Sequence, residues 1–148
     1  MLSSYFGAGS IVTQDTSPSF ADAVSQSVLL LVESGKAQLS YVDEVLESLK
    51  ALGPYFVIAP GIALAHAKLS DSVIAPGMAL LKLAEPVMSG SANDPVSLIF
   101  SMCSPNASEH IEMLGDFGRL MSTDEVMNNL LNASAVSVIK DILFKKAL

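Results

Sequence analysis

The stretch YFVIAPGIALAHA, Tyr55–Ala67, is where the chain changes texture. Upstream of it, apolar residues recur at helical spacing. Within it they are nearly continuous and broken only at Pro60-Gly61. That pattern predicts two short strands hinged at Pro60-Gly61. The second strand runs into His66, one of only two histidines in 148 residues. An imidazole at the end of an apolar strand has two readings. It is a core side chain satisfied by a hydrogen bond, or it is a nucleophile for which the strand is the mount.

Working outward, SPSFADAVSQSVLLLVESGK reads as a helix: Ser17 or Ser19 caps it, Phe20, Ala23, Val24, Val28 and Leu31 recur at helical spacing, and Gly35 stops it. LSYVDEVLESLKALGP reads as a second helix, with Ser40 and Asp43 as a loose capping box and Gly53-Pro54 as its end. Downstream, Val73–Val87 reads as a further strand and MSGSANDP (Met88–Pro95) as a loop, with Asn93 and Asp94 as turn formers. VSLIFSMCSP (Val96–Pro105) is apolar enough for the centre of a sheet covered on both faces. VIAPG occurs twice, at Val57–Gly61 and Val73–Gly77; nothing else recurs at that spacing, so both copies mark bends where a strand starts or stops. Three helices close the chain: Ser108–Ser122, a second capped by Ser122 or Thr123, and a third with Lys145 and Lys146 in its last turn. The expected order is helices, strands, helices: an α/β fold with one mixed sheet and helices on both faces. Residues 1–148 read as a single domain, with 1–16 as an N-terminal segment and the core over about 19–143.

Composition narrows the function. The chain is 51% hydrophobic with a net charge of −7. Eight Lys and Arg scattered among fifteen acids make no basic stripe, which argues against nucleic acid. The acidic balance fits steering of a basic protein partner, and equally fits ordinary solubility. No apolar run approaches the length of a spanning helix, the N-terminus lacks the pattern of a signal peptide, and the single cysteine fits a reducing compartment. A cytoplasmic location is expected.

His66 sits where strand meets polar turn, the usual place for a site in α/β folds. Its small neighbours Ala63, Ala65 and Ala67 suggest that a partner protein approaches the ring closely. His110 falls on the stripe His110, Leu114, Phe117, Met121 and in the first turn of its helix, where the positive helix end keeps an imidazole neutral. Taken alone, it reads better as a buried histidine bonded to a strand carbonyl. Cys103 reads as a buried, inert thiol rather than a nucleophile with His66 as its base. Two histidines and one cysteine without paired spacing make no convincing metal site, and no phosphate-cradling glycine motif is present, so neither metal nor cofactor is expected.

The run YVDEVLESLKALGPYFVIAPGIALAHAKLSDSVIAPGMALLKLAEPV closely resembles the enzyme IIA domains of the fructose–mannitol class in the bacterial phosphoenolpyruvate-dependent sugar phosphotransferase system. Its ascorbate-like branch shares GPYFVIAPGIAL before the histidine. The resemblance continues through NDPVSLIF, SEHIEMLGDFGRLMS and LLNASAVSVIKDIL. It implies a mixed five-stranded sheet. It implies that His66 accepts a phosphoryl group from the phosphocarrier protein HPr and passes it to a cysteine of a IIB partner, with His110 in support. The membrane IIC component would be met only indirectly. A regulatory or degenerate IIA-like binding protein is the alternative. The family usually carries proline immediately before its histidine, where this chain has Ala65. Alanine loosens the backbone and restores an amide donor; ladder bonding is expected to hold the strand on course.

Overall fold

A computed structural model describes residues 2–144. Lys145 and Lys146 therefore lie outside the described residues. A short 3-10 helix, Leu2–Tyr5, leads into β1 (Phe6–Gln14), then α1 (Phe20–Glu33), α2 (Ser40–Leu52), β2 (Val57–Ala59), β3 (Ile62–Ala65), β4 (Gly77–Val87), β5 (Val96–Cys103), α3 (Ala107–Leu120), α4 (Asp124–Asn132) and α5 (Val136–Phe144). The five strands form one sheet in the order β1-β4-β5-β3-β2. β1 pairs parallel with β4 and β3 parallel with β5, while β4/β5 and β2/β3 are antiparallel.

Strand alternation sorts the core into two layers. On one face, Ala63, Ala65, Ala79, Leu81, Leu83 and Ile99 pack with α1 and α2. On the other, Ile62, Leu64, Met78, Leu80, Leu98 and Phe100 pack with the 3-10 helix and α3–α5. β5 is central and buried along nearly its whole length, as its unbroken apolar sequence requires.

The hinge at Pro60-Gly61 forms as expected. Gly61 has φ +81° and its amide donates to the Asn93 carbonyl at 3.0 Å; a Cβ there would stand 2.9 Å from a Leu131 methyl carbon. Asn93 and Asp94 are turn formers. The Asp94 carboxylate accepts from the Ser89 and Gly90 amides and the Ser89 hydroxyl. Its partial burial raises the carboxyl pKa, but these bonds outweigh that and hold it below the usual range.

Three local expectations are corrected. Residues 6–14 are an edge strand of the sheet, where the sequence suggested only an N-terminal segment, so the order begins with a strand rather than a helix. Ser40 does not cap α2; its hydroxyl bonds that of Ser72 at 2.6 Å instead, and Leu39 stands at the cap without a side-chain bond. α3 starts one residue before Ser108 and is capped by Asn106, whose side chain accepts the Glu109 amide. Ser19 and Thr123 do cap their helices.

Candidate functional site

β3 alternates Ile62 and Leu64 toward α3–α5 with Ala63 and Ala65 toward α1–α2. Continued by one residue, the alternation turns His66 toward the α3 side. His110 stands there, and the two ring centroids are 6.1 Å apart. The histidines that the sequence separates are neighbours at the carboxyl end of β3, both half-buried.

His66 Nδ1 lies 2.9 Å from the Leu64 carbonyl oxygen. A carbonyl only accepts, so Nδ1 carries the proton and the neutral ring keeps its lone pair on Nε2. Tyr55 donates its hydroxyl to the His66 carbonyl at 3.2 Å and sets its ring against the imidazole edge at 5.8 Å. Phe56 supports the imidazole from 6.3 Å. Just beyond, the Ala67 amide donates to the buried Tyr41 hydroxyl at 3.0 Å, and that hydroxyl donates to the Met102 carbonyl at 2.8 Å. Tyr41 thus clamps the segment leaving His66 to the end of β5. Ala65 stays in the ladder opposite Ser101, so the strand holds its course without a proline.

The His110 ring does not bond a strand carbonyl; it packs against His66. Burial, then the neighbouring imidazole, lowers its pKa below the ordinary 6.5 and favours the neutral ring. The buried stripe of α3 is Met113 and Phe117, with Leu114 exposed, so the helix is rotated from the stripe expected. The small residues also sit differently. Ala63 and Ala65 are fully buried and rim nothing. A cleft of about 580 Å³ over the two imidazoles is instead bordered by Leu52, Tyr55, Ala67, Lys68 and Leu69. Tyr55, Tyr41 and the Leu52/Leu69 rim were not singled out from sequence. The one available signal was Tyr55, an aromatic just after the Gly53-Pro54 break.

Cys103 is buried at the end of β5, its thiol directed at the Ala75 and Lys36 carbonyls at 3.4 and 3.6 Å. Burial pushes its pKa up to about 12, so it stays a thiol. Among the described residues no group of three His, Cys, Asp or Glu side chains is placed to hold a metal ion. No described helix is long and apolar enough to cross a membrane.

Residues 4–146 match the family described as phosphoenolpyruvate-dependent sugar phosphotransferase system, EIIA 2. The chain is 34% identical over 105 residues to the ascorbate-specific PTS system EIIA component of Shigella boydii, covering 70% of this chain and 68% of the relative. The solution structure of the mannitol-specific cryptic phosphotransferase enzyme IIA of Escherichia coli superposes with a TM-score of 0.91 at 26% identity, over 98% of this chain and 99% of that one. Enzyme IIAMTL of Escherichia coli, in its complex with phosphorylated enzyme IIBMTL, shares the fold: TM-score 0.80, 21% identity, 95% of this chain and 98% of that one.

Proposed function

The chain belongs to the EIIA 2 family of the phosphoenolpyruvate-dependent sugar phosphotransferase system, and on that premise we propose that His66 is its phosphoryl acceptor. The carrying observation is the bond from Nδ1–H to the Leu64 carbonyl, which leaves Nε2 as the nucleophilic nitrogen at the edge of an open cleft. The Nε2 lone pair attacks the phosphorus of phospho-HPr, and the P–N bond to the carrier breaks with its electron pair returning to the carrier imidazole. Positive charge grows on the His66 ring as the new bond forms. The Leu64 carbonyl is already placed to stabilise it, at no cost in reorganisation. In the second step a cysteine sulfur of the IIB partner attacks the same phosphorus and Nε2 leaves.

His110 stands beside the incoming group as a neutral hydrogen-bond donor that does not repel HPr. Lys68 adds a cation at the rim, and Leu52, Tyr55 and Leu69 form the apolar contact surface that receives the partner and excludes water from the labile phosphoramidate. The related IIAMTL in complex with phosphorylated IIBMTL supports a IIB partner here. A cytoplasmic location follows from this exchange. The same exposed rim favours a second reading, a IIA-like regulator that docks its partner with or without phosphate.

The test is incubation with phosphoenolpyruvate, enzyme I and HPr, followed by intact mass. An acid-labile gain of one phosphate, absent in His66→Ala, is expected. No gain beside an active HPr control leaves only the binding role, and a gain that survives in His66→Ala removes His66 as acceptor.

A further inference from the structure

Because β1/β4 and β3/β5 are parallel pairs running in opposite directions, the sheet has two carboxyl-end edges. One carries His66. The other, at the far end of the strands, carries a separate cavity of about 530 Å³. It lies between Thr13 and Asp15 of the β1 terminus, Lys82 of β4, and Asn132 and Ser134 after α4. In open α/β sheets, ligands gather outside the carboxyl ends of strands.

Lys82 is the unusual member. It continues the face of Met78 and Leu80, where alternation calls for an aliphatic residue, and is only 7% exposed. Its ammonium donates to the Leu130 carbonyl at 3.5 Å and to that of Leu131, at the C-terminal end of α4. Those dipoles favour a cation but supply less than a full negative charge. Among the described residues no carboxylate lies within ion-pair distance of Nζ, and its third proton has no protein acceptor. Burial without a counter-charge lowers its pKa. Lysine is seldom buried unpaired, and a bound anion would supply the missing charge.

We propose that this cavity binds a small, singly charged carboxylate bearing hydroxyl groups, with its carboxylate on the Lys82 ammonium. One cation balances one negative charge. Asp15 and the α4 carbonyl end disfavour a dianion such as a phosphate monoester, while Asp15 accepts from ligand hydroxyls. Thr13, Asn132 and Ser134 supply further hydrogen-bonding groups. Gln14 is left out, since its amide already donates to the Thr16 carbonyl and Gln26.

The test is amide nitrogen–proton NMR of the full chain, titrated at matched ionic strength with sodium gluconate, acetate, phosphate and chloride. Gluconate is expected to give saturable shifts around residues 13–15, 82–84 and 131–134, without moving His66 or His110. Acetate should bind more weakly, and phosphate and chloride should not saturate. Lys82→Met should weaken gluconate at least about tenfold, as loss of a charged hydrogen bond predicts. Asp15→Asn, at the exposed rim, should let phosphate saturate the same amides, and it decides the matter if Lys82→Met does not fold. Absence of saturable gluconate shifts, equal shifts with chloride, undiminished binding in Lys82→Met, or exclusion of phosphate by Asp15→Asn would each overturn the proposal.

Discussion

At one end of the sheet two imidazoles meet under a rim of Leu52, Tyr55 and Leu69. At the other, a buried ammonium lies among Thr13, Asp15 and Ser134. The first end uses imidazoles, whose uncharged form tolerates half-burial beside apolar surface, under a cleft of about 580 Å³. The second uses a buried ammonium, so it leans on helix-end carbonyls and a polar lining. The contrast follows from the side chains: an imidazole switches between donor, acceptor and nucleophile at little cost, whereas an ammonium, while charged, needs acceptors and negative charge around it.

The largest expected effect of a single change on the His66 end, after loss of His66 as the proposed acceptor, comes from Tyr41→Phe. It strands the buried Met102 carbonyl, costing about 1–3 kcal/mol, with a smaller cost from the half-buried Ala67 amide, which water can reach. Urea unfolding measures it; a loss below about 0.5 kcal/mol, the size of an ordinary surface change, would show that the clamp carries no load. Next comes His110→Ala, which should slow phosphoryl uptake from phospho-HPr on the order of tenfold to hundredfold, toward the low end of a lost transition-state donor. Quench-flow with radiolabelled carrier reads it, and wild-type rates would remove His110 from the reaction.

A third measurement turns on charge. The folded state holds His110 below its ordinary pKa of 6.5, so the unfolded chain binds more protons just beneath that pH. Stability contributed by the neutral ring is fully present above pH 6.5 and is lost as pH falls below it. His110→Gln should flatten that part of the stability profile. A phosphoryl dianion on His66 should reverse the sign and move the His110 titration to higher pH, visible in carbon–proton NMR of the ring. The smallest expected effect is Lys82→Met on phosphoryl transfer, namely none. It shifts stability by about 1 kcal/mol or less in either direction, because an apolar replacement for a buried charge is often neutral. A transfer defect in that variant would mean the two ends communicate.

Much of the fold was legible because local hydrogen bonding leaves local patterns. The α1 stripe, its Ser19 cap, the Gly61 turn and the continuous apolar β5 could each be read in a window of a dozen residues. β1 could not. FGAGSIVTQ carries two glycines and buries only Ser10 and Ile11, so it becomes a strand by pairing along β4 rather than by its own pattern. Ser40 departs from its pattern for a related reason: a hydroxyl near a helix start caps it unless a better partner arrives, and here Ser72 does. The α3 stripe was rotated because Leu114 looks apolar in sequence yet faces solvent, while Met113 takes the core position.

By itself, the sequence determined where helices give way to strands, the hinge at Pro60-Gly61, and an imidazole standing at the end of β3. These rest on backbone preferences and burial periodicity that act over a few residues. Only the tertiary structure decided that His110 faces His66, that Tyr41 ties the following segment to β5, that Ala63 and Ala65 are core while Ala67 alone of the three reaches the rim, and that Lys82 is buried without a carboxylate. Those facts depend on which side chains the strand register and helix rotation bring together across the sheet, and no local pattern encodes a meeting of distant residues.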